Sequence, residues 1–312
     1  MSIKSVSKPV VIITAAGAVA LSVGNYIWQQ EHRPKRLEVY VFALDKGHAI
    51  FIRTPEDKRI LINGGYNSEI VNKLTGILPF YSKRIDMIFA TNTADNDIAG
   101  LIEILDRYRV EKIYVPAITL KSLGLASSTG TSYEIFTEKV TSNNIGIEDL
   151  LSGRKIVLDE DVYADILFPV PEGEFKYSKA SPPELIMSIT YKSSRFLLLG
   201  GASVKTQKYV ASSSVGLTQK RHGSFGGSDN TVLIVNGSAM PTNIASKLVE
   251  IFGPSYLVYS RMLSSIGKVA NVKKKIVADP LGDITGDHKF NLKEVGDLHM
   301  ITDGRELIYE SD

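Results

Sequence analysis

The stretch "MIFATNTADNDIAGLIEIL", residues 87–105, decides the fold and raises the question of function. Its hydrophobic run, residues 87–90, leads into Thr91, then into a polar turn, and then into an apolar pattern with helical spacing. This order is typical of a buried strand that delivers polar side chains to the mouth of a site. The residues delivered here include no histidine: they are Asn92, Ala94, Asp95, Asn96 and Asp97.

The bulk composition is that of a folded globular protein. The chain has 312 residues, of which 44% are hydrophobic and 22% charged, and this excludes a disordered class. A net charge of +2 excludes a global attraction to nucleic acid or to anionic membranes, so any such binding has to be local. The absence of cysteine excludes disulfides and thiolate metal sites and is compatible with an exported location.

The N-terminal region has the character of a membrane anchor. Residues 9–28 carry no charged side chain and have about the length of a membrane-spanning helix. We expect residues 1–36 to form an uncleaved anchor and juxtamembrane segment, with the rest on the extracytoplasmic side at the cell envelope. A cleavable signal peptide is the alternative, because Ala18-Val19-Ala20 resembles a small-residue cleavage site. Basic residues nearly balance across the segment, so charge does not decide its orientation.

The remaining residues read as two similar halves, each with strands first and a strand–helix–strand step afterwards. In the first half, residues 36–65 predict an antiparallel meander, and residues 84–117 predict two parallel strands joined by a helix over 98–108. The second half repeats this order between residues 164 and 261. We therefore expect an α/β fold of the mixed α+β type, in which two mixed sheets pack face to face with helices outside.

Four landmarks in this order give the chain a resemblance to a known family. They are "VFALDKGHAIFIRTPEDKRILINGG" (41–65), the opening stretch, "RFLLLGGA" (195–202) and "LIVNGSAM" (233–240). Together they resemble the metallo-β-lactamase fold, and more narrowly the soluble hydrolase-like domain of competence DNA-uptake proteins of the ComEC type. The resemblance implies a four-layer αββα sandwich over residues 37–278, followed by a C-terminal segment, residues 279–312.

The resemblance also implies a two-zinc site, but this chain has other residues at the family's ligand positions. Asn92, Ala94, Asn96 and Asp97 stand where the family's first loop supplies its zinc ligands. Asn63 replaces the aspartate of an Asp-Gly-Gly strand end, and Gly201 replaces the bridging aspartate. The family's His-His-Gly-Ser landmark reads Gly237-Ser238-Ala239-Met240.

These substitutions predict that zinc is not bound and that the protein is a pseudoenzyme. A zinc hydrolase needs at least three nitrogen, oxygen or sulfur ligands and an open position for water. An amide oxygen is a weak zinc ligand, and alanine and glycine side chains offer none. We therefore expect a non-catalytic binding or assembly module with a protein partner. A hydrolase or nuclease with non-standard metal use, centred on Asp45, Asp95 and Asp97, is the alternative.

A second motif, "GDITGDHKFNLKEV" (282–295), has the spacing of a calcium loop. Counted from Asp283, the ligand positions of an EF-hand or dockerin-like loop fall on Asp283, Thr285, Asp287, Lys289 through its carbonyl, Asn291 and Glu294. His288 occupies the position where such loops normally have glycine. Two interpretations stay open: a calcium site, or a plain polar turn before a strand over residues 297–304.

Local basic residues raise the question of nucleic acid. Lys220 and Arg221 lie in a Ser- and Gly-rich stretch, residues 212–230, and phosphate contacts by such side chains would make binding salt-dependent. No aromatic residues that stack on single strands are interleaved with them. Passive DNA binding is therefore an alternative function, with a solvated surface as the ordinary interpretation of these charges.

Overall fold

The computed structural model describes residues 35–119, 122–124, 131–213, 230–235, 244–260 and 288–311, together with Leu21 and Gly24. The rest of the predicted anchor, residues 9–28, lies outside this part of the chain. Within the described residues, no helix has both the length and the apolar character to cross a bilayer.

Fifteen strands are present among the described residues. In chain order they are β1 (Leu37–Val41), β2 (Ile50–Arg53), β3 (Arg59–Ile62), β4 (Arg84–Phe89), β5 (Arg109–Pro116), β6 (Gly146–Leu150), β7 (Lys155–Asp159), β8 (Val162–Phe168), β9 (Ile186–Tyr191), β10 (Ser194–Gly200), β11 (Asn230–Val235), β12 (Tyr256–Tyr259), β13 (Lys289–Asn291), β14 (Leu298–Thr302) and β15 (Leu307–Ser311).

Six helices accompany the strands in the described part of the chain. They are α1 (Glu69–Ile77), α2 (Asp95–Arg107), α3 (Thr131–Ser142), α4 (Val204–Ser212), α5 (Ser246–Phe252) and the single turn α6 (Leu292–Val295).

The strands form two mixed sheets. The first sheet has the order β15-β14-β1-β2-β3-β4-β5-β6, and the second has the order β13-β12-β11-β10-β9-β8-β7. In the first sheet, β1 to β3 form an antiparallel meander and β3 to β6 pair in parallel. In the second sheet, β7 to β10 are antiparallel and β10 to β13 are parallel. Both the predicted meander and the predicted parallel steps are confirmed.

The packing gives four layers, because each sheet is apolar on both faces. Between the sheets, residues such as Val39, Ile52 and Phe89 of the first sheet join Met187 and Phe196 of the second in one buried cluster. The outer face of the first sheet packs under α1, α2 and α3, and that of the second packs under α4 and α5. The predicted αββα arrangement is therefore present.

Several elements differ from the sequence prediction. Helix α2 begins at Asp95 rather than at residue 98, because the Ala94 carbonyl already accepts hydrogen bonds from the peptide N–H groups of Asp97 and Ile98. Helix α3 was not predicted, since only Phe136 and Val140 of its side chains are buried and its apolar pattern is correspondingly weak. The final strand β15 was also not predicted. The described part of the C-terminal segment adds β13 to one sheet and β14 and β15 to the other.

Candidate functional site

The site expected from the sequence lies at the carboxyl ends of β3 and β4. Because these strands are parallel neighbours, the residues that follow them meet at one edge of the sheet. Asn63 follows β3 with a φ of 58°, a left-handed conformation that asparagine tolerates better than most residues. Its side-chain Nδ2 donates to Thr91 Oγ1 over 2.8 Å, and its Oδ1 accepts from the Thr91 peptide N–H over 2.8 Å. The buried Asn63 amide thus joins the two strand ends to each other.

Asp97 is the centre of a second group of hydrogen bonds. Its Oδ1 accepts the His48 peptide N–H over 3.1 Å and lies 2.9 Å from His48 Nδ1. Its Oδ2 accepts a hydrogen bond of 2.7 Å from Nδ2 of Asn92, and Asn92 Oδ1 in turn accepts the Ala94 peptide N–H over 2.8 Å. Both carboxylate oxygens of the buried Asp97 are therefore engaged by protein donors. We call these residues, His48, Asn92 and Asp97, the Asp97 clamp.

Backbone-to-backbone contacts fill the space around the clamp. A Cβ atom on Gly100 would lie 1.9 Å from the Gly64 carbonyl oxygen, and one on Gly47 would lie 1.6 Å from that of Asn96. Such distances are far below van der Waals contact, so only glycine fits at either position. The Gly100 peptide N–H donates to the Gly65 carbonyl over 2.9 Å. The loop before β2, the end of β3 and the first turns of α2 consequently pack as one unit.

Glu184, which sequence reasoning missed, contributes a second buried carboxyl group. Its side chain is buried, and its Oε2 accepts the Gly201 peptide N–H over 3.1 Å. Burial raises the pKa of Glu184 to about 8; the hydrogen bond from Gly201 opposes this change, and the negative charge of Asp97 adds to it. The residue is therefore protonated at neutral pH. In the sequence, Glu184 could have been noticed as a single acidic residue between Pro182-Pro183 and the apolar residues that lead into β9.

Glu184 is connected to the strand ends through its own backbone neighbours. The Leu185 peptide N–H donates to the Thr91 carbonyl over 2.7 Å. On the opposite side, Gly200 has a φ of 57°, and a Cβ atom there would lie 2.7 Å from Glu184 Oε2. Gly201, the predicted replacement for a bridging aspartate, therefore supplies a peptide donor to a carboxyl group instead of a ligand.

The remaining predicted positions separate into three groups. Ala94 and Asn96 are exposed at the start of α2. Asp95 Oδ1 accepts the Ser132 peptide N–H over 2.9 Å and so serves the start of α3. The others lie outside the described residues, so the predictions for them, as substituted ligand positions, in DNA binding and in calcium binding, stay predictions: Gly237, Ser238, Lys220, Arg221, Asp283, Thr285 and Asp287.

The second half of the predicted calcium loop is described. Lys289 and Asn291 bound strand β13, and Glu294 lies in α6. Asn291 Nδ2 donates to Glu294 Oε1 over 2.7 Å, and Asn291 Oδ1 accepts the Lys293 peptide N–H over 3.3 Å. These contacts neither require nor exclude an ion, so calcium binding stays a prediction.

Among the described residues, the side chains at the predicted ligand positions do not fit a zinc centre. Zinc in proteins is held by thiolate, imidazole or carboxylate groups in a tetrahedral set. Here the amides of Asn63 and Asn92 are engaged in hydrogen bonds, Ala94 and Gly201 offer no side-chain ligand, and both oxygens of Asp97 are engaged by protein groups. Over the described ranges, no three His, Asp or Glu side chains are grouped so as to hold a metal.

The clamp has one chemical capability of its own. His48 keeps its Nδ1 on Asp97, while its Nε2 has no hydrogen-bond partner within the described parts of the chain, and its side chain is 19% exposed. A carboxylate that orients an imidazole in this way is the arrangement of a general base. No nucleophilic side chain of the described residues is hydrogen-bonded to it.

Comparison with known proteins adds a fold-level likeness. No protein-family description and no curated protein sequence matches the chain. Among solved structures, it is similar to a variant of CmlA β-hydroxylase at 12% identity, over 71% of this chain and 45% of that chain, with a TM-score of 0.43. A long form of RNase Z from yeast matches at 8% identity over 72% and 36%, with a TM-score of 0.42.

The Rm3 metallo-β-lactamase matches at 15% identity, over 62% of this chain and 74% of that chain, with a TM-score of 0.36. The chain spans less than half the length of the CmlA and RNase Z chains that it matches. At these values the likeness says nothing about activity, ligands or partners.

Proposed function

We propose that this protein is a non-catalytic binding or assembly module built on a metallo-β-lactamase-like sandwich. Residues 9–28 would anchor it in a membrane, with the sandwich on the extracytoplasmic side, and the resemblance to ComEC-type proteins points to a role beside DNA-uptake machinery. One observation carries the proposal: both carboxylate oxygens of Asp97, the one acidic side chain left at the substituted ligand positions, accept hydrogen bonds from His48 and Asn92.

Energetics supports this interpretation of Asp97. A metal ion that recruited this carboxylate would compete with the His48 and Asn92 donors, which already engage three of its roughly four lone-pair positions. Each buried donor left without a partner costs about 1–3 kcal/mol. Besides this carboxylate, the described neighbours offer the ion one imidazole, that of His48, together with amides, a methyl group and backbone. This is fewer than the three ligands that a zinc site needs. The arrangement therefore favours a hydrogen-bonded structural role over metal binding.

The test is metal content and hydrolytic activity of the full-length chain, purified in mild detergent without chelators. After dialysis against zinc and, separately, manganese, mass spectrometry of the elements should find well below one ion of either metal per chain. Phosphodiester and β-lactam reporter substrates should be hydrolysed no faster than in buffer. Stoichiometric zinc that is lost in Asp97→Ala would overturn the proposal.

A second candidate function, metal-independent hydrolysis, is favoured by His48 alone. An imidazole held by Asp97 with a free Nε2 can take a proton from water or from a substrate hydroxyl. If this chemistry occurs, chelator-resistant hydrolysis of an ester reporter should be lost in His48→Gln and retained in Asn96→Ala. Equal rates in the two variants and in the parent would leave the binding function as the conclusion.

A further inference from the structure

Strand β15 forms one edge of the first sheet, and most of its side chains are exposed. It pairs with β14 over all of its residues, from Leu298↔Ser311 to Thr302↔Leu307, without a shift in register. Within the described chain no strand lies on its other side. The Ile308 side chain is 55% exposed and that of Tyr309 is 37% exposed. An open edge with apolar side chains is a template for an added strand.

The other three sheet edges are protected in ways that β15 is not. On β6, Glu148 is ion-paired with both Lys112 and Arg154. On β7, Lys155 lies 3.7 Å from Asp165, and the pairing with β8 contains an irregularity. Strand β13 has only three residues. Adjacent charged side chains (Glu148 and Asp149 on β6), irregular pairing and short length are devices by which proteins block unwanted strand addition. Strand β15 pairs regularly over five residues, and Glu310 is its one charged side chain.

The charges on β15 argue against pairing with a second copy of the same strand. A two-fold antiparallel pair centred on Tyr309 would put Ile308 opposite Glu310 of the other copy. Centring on Ile308 would put Glu306 opposite Glu310, and centring on Glu310 would put that residue opposite itself. The last two registers place like charges opposite each other, which is destabilising, and the first leaves Glu310 opposite an apolar residue without a cationic partner. Glu310 has no ion-pair partner in the described residues, so a basic side chain on a different strand would complement it.

A groove next to Glu310 extends this surface across the outer face of the sheet. It is a cavity of about 460 Å³ between α1 and strands β1, β14 and β15, and its lining includes Tyr40, Phe42, Asp297, His299 and Glu310. The Tyr40 and His299 rings stack with centroids 3.9 Å apart and planes within 9°. Lys73, which also lines the groove, already pairs with Asp297 over 2.9 Å. Glu310, which has no ion pair among the described residues, lies beside the aromatic rings, and such a recess suits a cationic side chain.

We propose that β15 is the docking edge for an extended segment of a partner protein with alternating apolar and basic side chains. The segment would add a ninth strand to the eight-stranded sheet through backbone hydrogen bonds, as in other cases of strand addition. Its apolar side chains would cover Ile308, and a lysine or arginine would meet Glu310 at the groove. This inference does not depend on whether the Asp97 site is inactive.

The test uses labelled synthetic peptides and the full-length chain. An alternating Val/Lys peptide is compared with an alternating Val/Glu peptide and with a helix-forming Leu/Lys peptide of equal charge, by fluorescence anisotropy at moderate salt. We expect the Val/Lys peptide to bind best. Ile308→Lys and Glu310→Lys should each weaken its binding by about tenfold or more. Val157→Lys, which changes the exposed apolar residue on the opposite sheet's edge strand β7, is the matched control and should leave binding unchanged.

Each other outcome would overturn the inference. Preference for the helical peptide would mean that the groove accepts a helix, and loss of binding in Val157→Lys would mean that strand addition is not confined to β15. If sedimentation finds that the protein self-associates and that Ile308→Lys abolishes this, β15 would pair with a second copy of the chain and not with a different partner. Binding of none of the peptides would reject the site, provided that circular dichroism finds the parent folded. The net charge of +2 makes nonspecific attraction favour the Val/Glu peptide, so it does not mimic the expected result.

Discussion

Oδ1 of Asp97 and Nδ1 of His48 lie 2.9 Å apart, although 49 residues separate them in the chain. The same oxygen accepts the His48 peptide N–H, so one carboxylate fixes both the backbone and the ring of a residue in the loop before β2. This relationship ties that loop to the first turn of α2. Asp97 stands at a ligand position of the resembled family, and here it holds two segments of the chain together.

Removal of this carboxylate should destabilise the fold. In Asp97→Ala the His48 peptide N–H and the Asn92 amide both lose their acceptor, and we expect the free energy of unfolding to fall by about 2–4 kcal/mol. Asn96→Ala, one position away on the exposed side of α2, should change it by less than about 0.5 kcal/mol. Urea titration followed by circular dichroism measures both. Similar losses in the two variants would contradict the role assigned to Asp97.

Two helical glycines provide a matched pair for the close packing at the site. Gly100→Ala would place a Cβ atom 1.9 Å from the Gly64 carbonyl oxygen, so α2 must shift and the midpoint of thermal unfolding should fall markedly. Gly76 lies in α1 and has nothing within 4 Å of an added Cβ. Gly76→Ala should therefore stabilise the protein, by up to about 1 kcal/mol, through helix propensity. A tolerated Gly100→Ala would mean that the backbones do not meet as described.

Glu184 should make stability depend on pH near neutrality. Its pKa is raised by burial from 4.5 to about 8, so between these values the native state holds a proton that the unfolded state has released. The contribution is therefore fully present below about pH 4.5 and is lost as pH rises through about 8. Denaturant titrations at several pH values should follow this decline in the parent and lose it in Glu184→Gln. Glu138→Gln, on an exposed surface of α3, should retain it.

Glu38 should produce the opposite dependence at acidic pH. Burial alone would raise its pKa, but the side chains of His299, Arg53 and Tyr40 together lower it to about 2. Arg53 Nη2 donates to both Glu38 oxygens at 2.7 Å. For a lowered pKa, the stabilisation is present above about pH 4.5 and is lost as pH falls through about 2. Acid unfolding, followed by far-UV circular dichroism, should be less steep in Glu38→Gln. Unchanged steepness would contradict the hydrogen-bond network around Glu38.

The sequence allowed the layers to be predicted because they depend on local patterns. The alternation in β1 indicates a half-buried strand, and the unbroken apolar run before Thr91 indicates a more deeply buried one. The helix between β4 and β5 indicates that these two strands pair in parallel. Helix α3 and strands β6 and β7 were missed because each presents few buried side chains. In these elements neighbours from elsewhere in the chain decide the structure, and a local pattern does not record them.

The residue types at the site were predictable from the sequence, but their hydrogen-bond partners were not. The substituted positions could be read from the landmarks, whereas the partners of each residue are distant in sequence. Glu184 acts on Gly201, and Asn63 acts on Thr91 over 28 positions. His48 was not among the predicted site residues, because nothing near it in the sequence indicates an acidic partner. Such pairs become visible only when the chain is folded.

The close packing of Gly47 against Asn96 bears on any attempt to design a metal site on this scaffold. Replacing Asn92 and Ala94 by histidine would offer an ion two imidazoles. It would also remove the Asn92 amide that donates to Asp97 Oδ2. The loop in front of β2 cannot move closer to α2, because the two backbones are already in contact. Ligand replacement alone should therefore loosen this packing, so redesign would have to begin with the glycines.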